Sequence, residues 1–98
     1  MLNCAIVGAT GYTGVELIKI CLRHPRIQLA VLTTRQRQAI PLRQLWPALP
    51  SGIDLEVRPF SFAEIRRKAD LVFLCLPHTE AMETVEKFRK AQKIVIDL

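Results

Sequence analysis

Aromatic side chains make up only 6% of these 98 residues, with a single Trp and a single Tyr, and they are not interleaved with basic residues. That leaves no platform on which the bases of a nucleic acid would stack. Cysteine is sparse and odd in number. Cys4, Cys21 and Cys75 sit inside apolar runs, with no CxxC pair and no ligand set nearby, which reads as reduced core thiols and argues against both a disulfide framework and a metal site. No apolar run approaches the roughly 20 residues that cross a bilayer, and no basic region followed by an apolar signal core opens the chain. The expectation is a cytoplasmic protein with neither a membrane nor a nucleic acid as partner. The net charge of +5 does not change this. Arg23, the triplet Arg66, Arg67 and Lys68, and Lys87, Arg89 and Lys90 fall near the ends of expected helices, where cations complement the peptide dipoles. Internal repeats and low-complexity stretches are also missing.

Half of the residues are hydrophobic, enough for a buried core, and their spacing alternates between two periods. Leu2 to Val7 reads as a buried strand, and Tyr12 to Arg23 as a helix with Val15, Ile18 and Leu22 on one face, ended by Pro25. Ile27 to Thr33 is a second β-rich run. From Arg35 to Gly52 the pattern loosens around Pro41, Pro47 and Pro50, a surface excursion with room for a short helix over Leu42 to Trp46. Asp54 to Phe60 reads as a third strand, at a sheet edge because Pro59 cannot donate to a ladder. Ser61 and Glu64 have capping-box spacing and Phe60 with Ile65 that of a hydrophobic staple, marking a helix over Phe62 to Ala69. Leu71 to Leu76 has the continuous apolar character of a strand covered on both faces. Thr79 to Gln92 returns to helical spacing with Met82, Val85 and Phe88 on one side, and Lys93 to Leu98 is a last strand. This alternation predicts an α/β fold, a Rossmann-type doubly wound parallel sheet of about five strands in the order 3-2-1-4-5, with helices on both faces.

Glycine is scarce too, but three of the four glycines fall within Gly8-Ala9-Thr10-Gly11-Tyr12-Thr13-Gly14, between the first strand and the first helix. That context is what a dinucleotide-binding turn requires. Glycines permit the sharp turn, the approach of backbone N–H groups to a diphosphate and the close seating of the helix, whose amino end stabilises negative charge. Thr10 and Thr13 add hydroxyl donors. The spacing is GxxGxxG, one residue different from the common GxGxxG, so the flanking strand and helix carry much of the argument.

The end of the second strand bears on which nucleotide. An NAD site usually places Asp or Glu there, whereas no acid occurs from Ile27 through Ile53. Thr33, Thr34 and Arg35 stand there instead, with Arg37 close behind, and a hydroxyl beside a guanidinium suits a 2′-phosphate and hence NADP. Cys75, Leu76, Pro77 and His78 stand at the carboxyl end of the fourth strand, which faces the ligand crevice in open α/β sheets. His78 could contact cofactor, act as a general acid or base, or be merely a polar residue capping a helix entrance. Cys75 reads as a core cysteine, because its apolar surroundings would stabilise a thiolate poorly. Trp46, among prolines, is either a packing anchor or a contact to another chain.

Several of these segments, taken in order, resemble one family. They are Val7 to Ile18 with the glycine run, Arg23-His24-Pro25, Leu32-Thr33-Thr34-Arg35, Phe73 to His78 and Val95-Ile96-Asp97-Leu98. They are similar to the amino-terminal domain of the N-acetyl-gamma-glutamyl-phosphate reductases, in the semialdehyde dehydrogenase superfamily. The resemblance implies NADPH-dependent reduction of an acyl phosphate to an aldehyde in arginine biosynthesis. It also implies that Gly8, Thr10, Gly11, Tyr12, Thr13 and Gly14 hold the diphosphate, that Thr34 and Arg35 hold the 2′-phosphate, and that Leu76, Pro77 and His78 line the nicotinamide side.

In that family a cysteine attacks the acyl phosphate and a histidine assists, both from the region after the nucleotide-binding half. None of Cys4, Cys21 and Cys75 matches that nucleophile. The expectation is therefore one NADP-binding domain over residues 1–98, truncated, with no catalytic residue and no turnover of its own. The acyl-phosphate site and a homo-oligomer contact would belong to the missing part. Two other readings stay open: the NAD-binding domain of an aspartate-semialdehyde dehydrogenase or related reductase, and a non-catalytic interaction fragment.

Overall fold

The segment Leu2–Val7 forms β1, with Cys4 to Val7 buried on both faces, and it is the axis of the molecule. The computed structural model describes the backbone of residues 1–98 and every side chain except those of residues 78 and 79. Along the chain follow α1 (Tyr12–Arg23), β2 (Ile27–Thr34), β3 (Ile40–Pro41), α2 (Leu42–Leu45), β4 (Glu56–Pro59), α3 (Phe62–Lys68), β5 (Leu71–Leu74), α4 (His78–Lys90) and β6 (Ile94–Asp97). The sheet order is β3-β4-β2-β1-β5-β6. Its five longer strands run parallel in the expected 3-2-1-4-5 arrangement.

The addition is β3, which pairs antiparallel with β4 through Ile40 opposite Val57 and Pro41 opposite Glu56. The third strand is therefore not a bare edge as its proline suggested. Pro59 is tolerated for a related reason. Phe60 donates to the Thr34 carbonyl at 3.2 Å, so alternation turns the Pro59 nitrogen away from β2, at a level that β3 does not reach.

Period-two alternation along β1 sends Cys4 and Ile6 into one core and Ala5 and Val7 into the other. The first core lies under α1 and α2, with Ile18, Cys21, Leu42 and Val57. The second lies under α3 and α4, with Ile65, Val72, Ala81 and Phe88. Each fully buried large side chain, such as Ile6, Ile18 or Phe88, contributes about 1.5–3 kcal/mol. In the second core the Phe62 and Phe88 rings stack at 5.0 Å.

Three local expectations need correction. In α4 the covered face runs through Ala81, Val85 and Phe88, while Met82 is 63% exposed. In α1 the deepest residues are Gly14, Ile18 and Cys21, with Val15 and Leu22 half-buried. At the start of α3, Ser61 Oγ accepts from the Glu64 N–H at 3.3 Å, but the Glu64 carboxylate turns to Arg58 and Lys68, at 3.2 and 3.5 Å. Only half of the capping box forms. Phe60, the other half of the expected staple, is exposed and meets the edge of Phe88 at 6.5 Å.

From β1 the chain crosses to β2 on one side and later to β5 on the other. Strand order reverses at β1, and the carboxyl ends open a crevice there. A bulge between Cys4 and Ala5 in the β1–β2 register, with Ala30 as the extra residue, brings Val7 level with Thr33.

Candidate functional site

The turn after β1 is built by contacts that leave no freedom at two of its glycines. Gly8 has φ +82°, and a Cβ there would lie 2.6 Å from the Cys75 carbonyl oxygen. Cys75 in turn donates to the Val7 carbonyl at 2.9 Å and Ala9 to that of Thr33 at 2.8 Å, fastening the turn between β5 and β2. Gly14 lets α1 seat on the turn, since a Cβ there would meet the Ala9 backbone at 2.7 Å. Gly11 is different. It is the N-cap of α1, extended, with no atom within 4 Å of a Cβ built on it.

The first intrahelical bond of α1 runs from the Val15 N–H to the Gly11 carbonyl at 3.0 Å, so the amides before Val15 have no acceptor within the helix. No side chain caps this end and no acid stands in its first turn. The donors, the dipole and the open space over Gly11 suit a diphosphate.

Beside the turn lies a cleft of about 220 Å³ between the ends of β1 and β2 and the first turns of α4. Val7, Phe60 and Leu76 give it apolar walls, and Gly8, Thr33, Thr34, Arg35, Glu80 and Thr84 complete it. Thr33 is 1% exposed, and its Oγ1 finds no hydrogen-bond partner among the described residues. A buried hydroxyl without a partner is costly, and Thr33 is also one of the residues that line the cleft. Thr34 Oγ1 accepts from the Gln36 N–H at 3.2 Å, shaping the turn that carries Arg35. The exposed guanidinium of Arg35 pairs with the Glu80 carboxylate from α4, across 45 residues of sequence.

Of the residues singled out from sequence, Gly8, Thr34, Arg35 and Leu76 meet in this cleft. Gly11 marks the amino end of α1, and exposed Thr10, Tyr12 and Thr13 surround it, with Thr10 and Tyr12 on a neighbouring open hollow that also includes Lys19. Pro77 caps α4 and is exposed. The His78 side chain lies outside what the structure describes. Phe60, Glu80 and Thr84 were not picked out as site residues, although Glu80 follows Leu76-Pro77 within four residues; Thr33 was named only with the strand end that bears on the nucleotide. Trp46 is the packing anchor. It joins the first core and carries Lys19 Nζ 5.3 Å over its ring.

The thiols are held away from nucleophilic chemistry. Burial, followed by the neighbouring Cys21, pushes the Cys4 thiol up to about 12. Burial also raises Cys21 and Cys75 above the ordinary thiol range. A reacting cysteine needs the opposite shift. Among the described residues no group of three His, Cys, Asp or Glu side chains could hold a metal ion, and no helix is long and apolar enough to cross a membrane.

Residues 3–98 match the family described as semialdehyde dehydrogenase, NAD binding domain. The chain belongs to this family. Among curated relatives of this semialdehyde dehydrogenase domain, the N-acetyl-gamma-glutamyl-phosphate reductase of Citrifermentans bemidjiense is 43% identical over 98 residues, 100% of this chain and 28% of that protein. The protein of the same name from Geobacter metallireducens is 40% identical over the same span. Among solved structures, aspartate semialdehyde dehydrogenase of Candida albicans, determined with NADP, has a TM-score of 0.73 at 21% identity, over 99% of this chain and 29% of that one. A semialdehyde dehydrogenase NAD-binding protein of Cupriavidus necator, in complex with calcium and NAD, has a TM-score of 0.61 at 20% identity, over 100% of this chain and 33% of that one. At these identities the two structures establish the shared fold. The domain spans 28% of the length of the curated relatives it matches.

Proposed function

We propose that this domain is the cofactor-binding part of an NADPH-dependent N-acetyl-gamma-glutamyl-phosphate reductase, which reduces an acyl phosphate to an aldehyde with release of phosphate, in arginine biosynthesis. The observation that carries the substrate class is identity of 43% running along the whole chain to reductases of that name. The preference for NADP is supported by the site itself: the end of β2 offers Thr34 and Arg35 where an NAD site usually offers an acid, and Arg35 stands at the mouth of the cleft.

NADPH, when bound, supplies the hydride. The work of this chain is holding and orienting. The α1 amides around Gly11 take the diphosphate, Val7 and Phe60 flank the adenosine, Thr34 and Arg35 take the 2′-phosphate, and Leu76 and Pro77 line the nicotinamide side. With all three cysteines held protonated, acyl transfer needs a thiolate from elsewhere. On this reading the nucleophile, its histidine, the acyl-phosphate pocket and the homo-oligomer contact belong to the part of the reductase outside residues 1–98.

Calorimetric titration with NADP and NAD tests the proposal. NADP should bind the tighter, and Arg35→Ala should weaken NADP about tenfold while NAD stays within about twofold, the loss expected for one charge-assisted contact. Failure to bind either dinucleotide, or an unchanged ratio in Arg35→Ala, would overturn it.

A further inference from the structure

The cleft that lacks an acid on β2 has one all the same, delivered from the opposite wall. Glu80 stands in the first turn of α4, and its Oε2 meets Nη2 of Arg35 at the cleft mouth. We infer that Glu80 sets the cofactor selectivity of this cleft, by holding the Arg35 guanidinium in a charge pair that a ribose 2′-phosphate must displace and a ribose 2′-hydroxyl need not. The inference rests on the cofactor-binding reading above and adds a determinant to it.

Three features support the selector. The two side chains are 61% and 49% exposed, so water can solvate either charge when the pair opens, and exchange of one anion for another on Arg35 is inexpensive. Thr84, one turn further along α4, lines the same cleft and donates its hydroxyl to the Glu80 carbonyl at 3.2 Å, which ties the backbone while leaving the carboxylate free to swing. The charge arithmetic then works against the phosphate and tempers the NADP preference that Arg35 confers. A phosphate that captures Arg35 leaves the Glu80 carboxylate facing a dianion at short range, whereas a ribose hydroxyl finds in the same carboxylate an acceptor, the role usually filled from β2.

Glu80→Gln keeps the shape and a hydrogen-bonding end group but removes the charge. Titrated with both dinucleotides, the variant should bind NADP about three- to tenfold tighter than the unmodified chain and NAD within about twofold. Adenosine 2′,5′-bisphosphate and AMP isolate the contribution, since they differ only in the 2′-phosphate; the gain should appear with the first and not with the second. In Arg35→Ala the effect of adding Glu80→Gln should shrink, because most of it passes through the guanidinium. An unchanged NADP-to-NAD ratio, weaker NADP binding in Glu80→Gln, or strict additivity with Arg35→Ala would overturn the inference. If Arg35→Ala alone still abolishes NADP preference, the cofactor-binding reading survives that loss. A chain that binds neither dinucleotide sinks both.

Discussion

Gly8 and Gly11 stand three residues apart in one turn and answer to different constraints. At Gly8 the left-handed backbone and the Cys75 carbonyl 2.6 Å from an added Cβ both exclude a side chain. Gly8→Ala should therefore cost about 2–4 kcal/mol of stability, read from the urea midpoint, because neither a strand end nor a carbonyl can move aside cheaply. Gly11→Ala meets empty space, and its φ of −85° suits any residue. Stability should change by no more than about 1 kcal/mol, yet the new methyl stands where the diphosphate would approach, and NADP affinity should fall about tenfold or more. A Gly11→Ala variant that binds NADP normally would remove the diphosphate from this end of α1. In the sequence the glycines of the run look equivalent, and only the position of Cys75, 67 residues after Gly8, separates them. The same limit hid Thr33: strand alternation could not say which of two adjacent threonines would be left without a partner among the described residues, since Gln36 bonds to the hydroxyl of the other.

The elements themselves were largely legible, because long periodic segments and their stop signals are local properties. Helix α1 matches its expected span of Tyr12–Arg23. What escaped depended on packing or on length. Met82 and Ala81 both fit helical spacing with Val85 and Phe88, and hydrophobicity favours Met82; close approach of α4 to the sheet favours the smaller side chain, so Ala81 is covered. The two-residue β3 is too short to carry a period. The exit of α4 was also invisible. Lys93 donates to the Phe88 carbonyl at 3.0 Å and Gln92 to that of Arg89 at 2.9 Å, a Schellman ending with Gln92 at φ +63°. Glycine usually occupies that position. Gln92→Gly should raise stability by about 0.5–1 kcal/mol in thermal or urea unfolding, the relief of the Cβ in left-handed backbone less the extra freedom of glycine in the unfolded chain. A loss of stability would mean that the Gln92 side chain makes a contact worth more than the strain.

Across the whole molecule, the two cores that hold the sheet together also decide how its stability responds to pH. Cys4 is fully buried in the core under α1, and its thiol is pushed up to about 12 from the ordinary 9.0, by desolvation first and by Cys21 second. The folded state therefore keeps the proton over a range in which the unfolded chain has lost it. Since the unfolded state then binds fewer protons, stability must fall as pH rises above about 9 and continue falling to about 12. Below about 9 both states hold the proton and the thiol contributes no slope. At pH 10 the loss from Cys4 alone should be about 1 kcal/mol, with Cys21 and Cys75 acting in the same direction because burial raises both. Urea midpoints measured between about pH 8 and pH 10.5 would show the decline, and Cys4→Ala, though less stable at pH 8 for the lost packing, should show a shallower one. A profile equally steep in Cys4→Ala would move the effect to other groups. The same desolvation bears on function: a thiol that ionises only at the expense of the core, as Cys4 does, is a poor acyl acceptor near neutral pH.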